Sequence, residues 1–200
     1  MLVKRAAELL VAVLASVITL PLVLAAAIGI AATSRGPVFF KHERIGLGGR
    51  TFTMYKFRTM TDGTYDAVVR SHDLQQSYRT NGFKLRADDP RITRIGRILR
   101  ATSIDELPQL VNVMRGDMNL IGVRPIELAQ LEERPCQVQA AYCSMRPGIT
   151  GLWQTSGRSA LSPEERDALD VEYVETWSLK TDIKILLRTP AAIARTFETS

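Results

Sequence analysis

The sequence predicts an α+β fold: a small, mainly helical domain with one short β-hairpin, an N-terminal re-entrant membrane helix and amphipathic interfacial helices. Three observations predict it. An uncharged, mostly apolar run extends from Leu9 to Ser34. Two short aromatic segments flank a glycine-rich turn, Gly46-Leu47-Gly48-Gly49. Beyond Arg91 apolar residues recur at helical spacing. Residues 1–34 form the membrane segment, and 35–200 leave about 165 residues, enough for one domain with a modest core. The net charge of +5 suits an anionic partner, whether phosphate esters, anionic headgroups or nucleic acid. Two cysteines and two histidines are too few, at the wrong spacing, for a zinc site.

A membrane span needs roughly 20 apolar residues to cross ~30 Å of hydrocarbon. The run is long enough, yet Pro21 divides it into two arms of about a dozen residues, each about 16–18 Å long. Proline removes a backbone donor and crowds the preceding turn, so a kink is expected there. Lys4 and Arg5 precede the run, and Arg35, Lys41, Arg44 and Arg50 follow it. Both ends therefore read as cytoplasmic. That pattern suggests a helix-break-helix hairpin that dips into one leaflet and returns. A simple span carrying a kink stays open on the residues alone. Cytoplasmic flanks also predict that Cys136 and Cys143 are free thiols.

Gly36 to Lys41 and Thr51 to Arg58 read as the two strands of the hairpin. The glycines between them are not a P-loop, because no Gly-Lys-Ser/Thr follows and the next element is a strand. Thr61 to Asn81 is a polar surface excursion with a weak helical pattern around Ala67–Leu74. Arg91 to Leu99 reads as an amphipathic helix, with Ile92, Ile95, Ile98 and Leu99 on one side. Arg91, Arg94, Arg97 and Arg100 recur every three residues and fan over about half the cylinder, so only one or two can serve a single site. Ser103 to Met114 is a second helix, whose Ser103 and Glu106 have capping-box spacing. Arg146 to Arg158 reads as a loop, and Pro163 to Trp177 as a helix with proline in its first turn. The basic, amphipathic tail from Ser178 to Phe197, interrupted by Pro190, lies on the membrane surface or packs on the core.

Asp105 and Glu106 stand where the second helix opens, among free backbone N–H groups. Acidic residues cap many first turns for stability alone. Here Arg100 lies just upstream and Arg124-Pro125 downstream. A carboxylate kept ionised by a helix end and guanidinium groups can attack phosphorus. Adjacent helical residues point about 100° apart, which rules out a facing acid/base pair. Separate roles follow: one nucleophile, and one metal ligand or orienting group. Magnesium held through one or two carboxylates plus substrate phosphates fits a site so poor in other ligands.

Six stretches then stand in order: Ser34-Arg35-Gly36-Pro37-Val38-Phe39-Phe40, Tyr55-Lys56-Phe57-Arg58-Thr59-Met60, Asp89-Pro90-Arg91-Ile92-Thr93, Thr102-Ser103-Ile104-Asp105-Glu106-Leu107-Pro108-Gln109-Leu110, Gly122-Val123-Arg124-Pro125, and Arg146-Pro147-Gly148-Ile149-Thr150-Gly151-Leu152-Trp153-Gln154 with Gly157-Arg158. Through them the chain resembles the bacterial sugar transferase family, the monotopic phosphoglycosyl transferases, in its minimal catalytic form. The resemblance implies an enzyme on the cytoplasmic face of the bacterial inner membrane, both termini cytoplasmic, seated by a re-entrant helix broken at Pro21. It implies transfer of a sugar 1-phosphate from a UDP-sugar to a polyprenol phosphate, with release of UMP. Asp105 would be the nucleophile, and Glu106 would hold Mg²⁺ or orient Asp105. Lys56, Arg58, Arg91, Arg100, Arg124, Pro125, Gln154 and Arg158 are the implied substrate-binding positions. A homodimer is plausible for a small membrane-seated enzyme. Two departures stand out: Val123 replaces a usual proline before Arg124, and Glu8 replaces a usual aspartate.

One rival enzymatic reading is direct transfer, with Asp105 acting as a base on the acceptor phosphate. A non-catalytic basic membrane-surface module would explain the charge and the apolar run, but not the acidic pair or the ordered arginine and glycine stretches. Nucleic acid is not an expected partner, since no aromatic platform for single strands is interleaved with the cations.

Overall fold

The computed structural model describes residues 2–64, 67, 70, 71, 75, 76, 78, 89–157 and 161–198. Most of the excursion expected over Thr61–Asn81 lies outside the described residues, as does Arg158. Helix α1 (Leu2–Thr33) takes up the apolar run and contains Pro21. It stays one helix through the proline, in place of the two arms expected. Proline forfeits a single i→i−4 bond, and a long helix can absorb that loss as local distortion rather than an end. Just before it, the Ser16 and Thr19 hydroxyls donate to the carbonyls of Ala12 and Ala15, each at 2.7 Å, a bonding mode that itself favours bending.

The hairpin pairs β1 (Phe39–Ile45) with β2 (Thr51–Phe57) antiparallel, from Phe39 opposite Phe57 to Ile45 opposite Thr51. Next come α2 (Arg94–Ala101), a 3₁₀ turn over Ile104–Glu106, and α3 (Gln109–Arg115). Helix α2 starts three residues later than expected because Thr93 caps it, its side chain accepting from Gly96 N at 3.0 Å. The helix expected over Ser103–Met114 is divided. Ser103 makes no capping hydrogen bond, so its capping box with Glu106 does not form, and regular α-helix begins only beyond Pro108.

Strand β3 (Asn119–Ile121) then pairs in parallel with β4 (Gly148–Thr150). Three-residue strands are too short for alternation to reveal them. Their backbones meet so closely that a Cβ on Gly148 would lie 2.1 Å from Gly122 N. Helices α4 (Leu128–Glu132) and α5 (Cys136–Ser144) form the crossover. Both cysteines are free. The expected loop over 146–158 therefore holds β4 and the short helix α6 (Leu152–Ser156). Helix α7 (Pro163–Glu175) opens with a formed Ser162–Glu165 capping box. Helix α8 (Leu179–Glu198) runs through Pro190, which does not interrupt it as expected.

Both ends of α1 are fixed to the same body. Near its start, Lys4 Nζ donates to Ile121 O (2.9 Å), Tyr173 OH (3.1 Å) and Asp182 Oδ2 (2.8 Å). Arg5 binds the carbonyls of Val113 and Met118 at 2.6 and 3.3 Å, and Ala12 packs with Met54, Leu110 and Val113. Near its end, Ala26 and Ile30 pack with Phe57 and Leu99. The middle is bare: Val17, Ile18 and Leu24 are 68, 76 and 54% exposed. A third cluster joins Ile45, Val123, Ile126, Tyr142, Tyr173 and Ile185, tying the hairpin to α5, α7 and α8.

Candidate active site

A cleft of about 500 Å³ opens between these clusters, and Asp105 and Glu106 line it together with Lys56, Arg100 and Arg124. The dyad is presented by the 3₁₀ turn, and Ser103 before it holds φ +56°, ψ +17°. That left-handed conformation costs an L-residue about 1–2 kcal/mol. It reverses the chain between α2 and the turn, so that Arg100 and the dyad share one cleft.

Burial raises the Asp105 carboxyl above the usual carboxylate range, and Glu106 adds to the shift, while Lys56 and Arg100 oppose it. Lys56, on β2, binds Glu106 Oε1 at 2.7 Å. Arg100 donates through Nε to Thr59 Oγ1 at 2.9 Å. Arg124 follows β3 and lies over the Trp153 ring at 5.2 Å, with Arg166 also against that ring at 5.4 Å. Among the described residues, no carboxylate pairs with the Arg124 guanidinium. Burial and the Arg44 charge lower its pKa, and the Glu106 charge opposes them. Pro125 and Gln154 complete this wall.

Two expected substrate contacts are engaged elsewhere and do not line the cleft. The Arg58 guanidinium caps the end of α1, donating to the carbonyls of Ser34 (3.0 Å), Gly36 (3.3 Å) and Arg35. Arg91 forms a double hydrogen bond with Asp89, from Nε at 2.9 Å and Nη2 at 2.6 Å, which raises its pKa and lowers that of Asp89.

Arg44, on the sequence alone only a charge flanking the apolar run, also lines the cleft. Its Nη1 lies 3.0 Å from Glu127 Oε1, and its Nη2 lies 3.0 Å from His42 Nδ1. Tyr78 OH donates to the same Glu127 oxygen at 2.6 Å. Burial drives the His42 pKa to about 3, with Arg44 adding to it. The ring is therefore neutral, and Nδ1 accepts from Arg44 while the Nε2 proton faces Glu127 at 3.3 Å. The one available signal was the period-two placement of Phe40, His42 and Arg44 on one strand face.

Behind Arg124, Asp170 is fully buried. Its Oδ2 accepts from Tyr142 OH at 2.6 Å and Arg124 N at 3.4 Å. Burial raises its pKa to about 7.

Among the described residues no three metal-ligating side chains cluster. The site's own donors are the two dyad carboxylates, one of them already bound to Lys56. Such a set fits a magnesium ion that draws its remaining ligands from water and substrate phosphates.

A carboxylate dyad thus shares one cleft with Lys56, Arg100 and Arg124, and Val11 and Ala15 of the apolar helix α1 line the same cleft. The profile of the bacterial sugar transferase family matches residues 1–196, and the chain belongs to that family. It is 40% identical to the exopolysaccharide production protein ExoY of Sinorhizobium fredii, over 95% of this chain and 84% of that one. It is 41% identical to the UDP-glucose:undecaprenyl-phosphate glucose-1-phosphate transferase of Caulobacter vibrioides, over 96% of this chain and 70% of that one. It is also 42% identical to the undecaprenyl-phosphate galactose phosphotransferase of Salmonella typhimurium, over 80% of this chain. There the match spans 34% of the relative's length, as it does for the galactosyl transferase CpsE of Streptococcus agalactiae.

Proposed function

We propose that this chain transfers a sugar 1-phosphate from a UDP-sugar to a polyprenol phosphate at the cytoplasmic face of the bacterial inner membrane. The observation that carries this reading is the cleft into which a strained turn presents Asp105 beside Lys56, Arg100 and Arg124. The names of the Caulobacter and Salmonella relatives, which act on undecaprenyl phosphate, support it.

In the first step an Asp105 carboxylate oxygen attacks the β-phosphorus. An oxygen–phosphorus bond forms as the bond from that phosphorus to the bridging oxygen breaks. The bridging oxygen keeps the electron pair and leaves with UMP. In the second step a phosphate oxygen of the acceptor attacks the aspartyl phosphosugar, and the carboxylate is released. Arg124 and Arg100 bind and orient the phosphate oxygens. Lys56 fixes Glu106, which would hold Mg²⁺; the ion would supply charge neutralisation on the phosphates.

Fixing both ends of α1 to one body supports the re-entrant topology. The bare middle enters one leaflet while the site stays at headgroup level.

Intact-protein mass spectrometry with a panel of UDP-sugars, Mg²⁺ and no acceptor tests the mechanism. We expect a gain of one sugar phosphate, lost in Asp105→Asn. Turnover without any adduct, in wild type and variant alike, would exclude Asp105 as the nucleophile.

A further inference from the structure

Residues 56–59, at the end of β2 and just beyond it, reach separate parts of the molecule. Lys56 binds Glu106 Oε1 at 2.7 Å. The Arg58 guanidinium caps the end of α1. Thr59 turns to α2, where its Oγ1 accepts from Arg100 Nε at 2.9 Å.

Thr59 is itself held in place by that helix. It is buried, at 7% exposure, and its carbonyl accepts from Thr93 N at 3.0 Å and Thr93 Oγ1 at 3.3 Å. Thr93 is the residue that caps α2. Gly96 then admits the close approach, since a Cβ there would stand 1.9 Å from Thr59 O. Gly96 and Arg100 are four residues apart and lie on one face of α2. Thr59 therefore meets that face twice, with its carbonyl at Gly96 and its hydroxyl at Arg100.

This contact decides what the Arg100 guanidinium is free to do. The Asp105 and Asp89 carboxylates both attract it, yet among the described residues no ion pair joins it to either. Among those residues Thr59 is its one hydrogen-bond partner, and neither Nη makes a hydrogen bond. A guanidinium grips a phosphate best through two N–H groups on one edge. With Nε taken by a neutral hydroxyl, the Nη edge stays open in the cleft that Arg100 lines. Turning that edge onto Asp105 would mean giving up the Thr59 bond.

We infer that Thr59 is a positioning residue for Arg100: its hydroxyl holds Nε, keeping the Nη edge for a substrate phosphate and off the Asp105 carboxylate. This inference rests on the proposed function and adds the group that aims one of its cations.

The test uses the membrane-reconstituted full chain. Thr59→Val removes the hydroxyl and keeps the shape, Thr59→Ala removes it with less bulk, and Thr59→Ser retains it. Transfer from UDP-sugar to polyprenol phosphate reads activity, and calorimetric titration with UDP, which carries two phosphates, reads binding without turnover. We expect donor kcat/KM to fall about tenfold in Thr59→Val and Thr59→Ala, the scale of one hydrogen bond to a charged group, with Thr59→Ser within about twofold of wild type. On an Arg100→Ala background Thr59→Val should cost nothing more, because the hydroxyl acts only through Arg100. Equal losses on both backgrounds would make Thr59 a packing residue and overturn the assignment, as would a Thr59→Ser as impaired as Thr59→Val. A wild type that transfers from no UDP-sugar would instead remove the proposed function, and UDP binding would then decide alone. Affinity weakened in Thr59→Val and restored in Thr59→Ser would uphold the role of Thr59; equal affinity in all, or none, would overturn it.

Discussion

Ser103 concentrates the site's strain in one residue. Glycine adopts its left-handed conformation freely, so Ser103→Gly should fold at least as stably and keep activity. Ser103→Val should cost about 1–2 kcal/mol or more, and chemical denaturation measures it. Asp105 must be ionised to attack, and burial raises its carboxyl. The acid limb of kcat/KM should therefore lie above that of an ordinary carboxylate; a pH–rate profile with an unshifted limb would remove that assignment. Arg44 depends on Glu127 for its direction. Glu127→Gln keeps the shape but drops the charge, and we expect a raised donor KM with little change in kcat, whereas equal losses in both would mean general disruption. The dyad and Arg124 were legible because their neighbours in sequence carry the signal. Arg44, Glu127 and Asp170 were not, since each acquires its role from a partner far along the chain.

At the scale of elements, helix type was more legible than helix extent. The apolar run, α2 and α7 follow from spacing and turn chemistry. Pro21 and Pro190 misled, because a proline deletes one hydrogen bond and the neighbours of a long helix can carry the loss. The β3–β4 pair stayed hidden because it rests on the close approach of Gly122 and Gly148, a tertiary fact. The Thr93 cap of α2 supports Arg100 at the other end of that helix. Thr93→Ala should cost about 1 kcal/mol in unfolding free energy.

For the whole molecule, the buried Asp170 couples the fold to pH. Its carboxyl rises from 3.8 to about 7, so the native state holds a proton the unfolded chain has released. This contribution makes stability fall as pH rises across that window. Asp170→Asn cannot titrate, and its unfolding midpoint should lose that decline; an unchanged slope would assign the proton to another group.

Because both ends of α1 are fixed to one body, the proposed re-entrant helix is not stretched between two aqueous phases. Hydrophobic mismatch, which forces spanning helices to tilt or deform the bilayer, then has no purchase on this chain. Activity in bilayers of graded acyl-chain length should stay flat, and a sharp optimum at one thickness would instead indicate a helix that crosses.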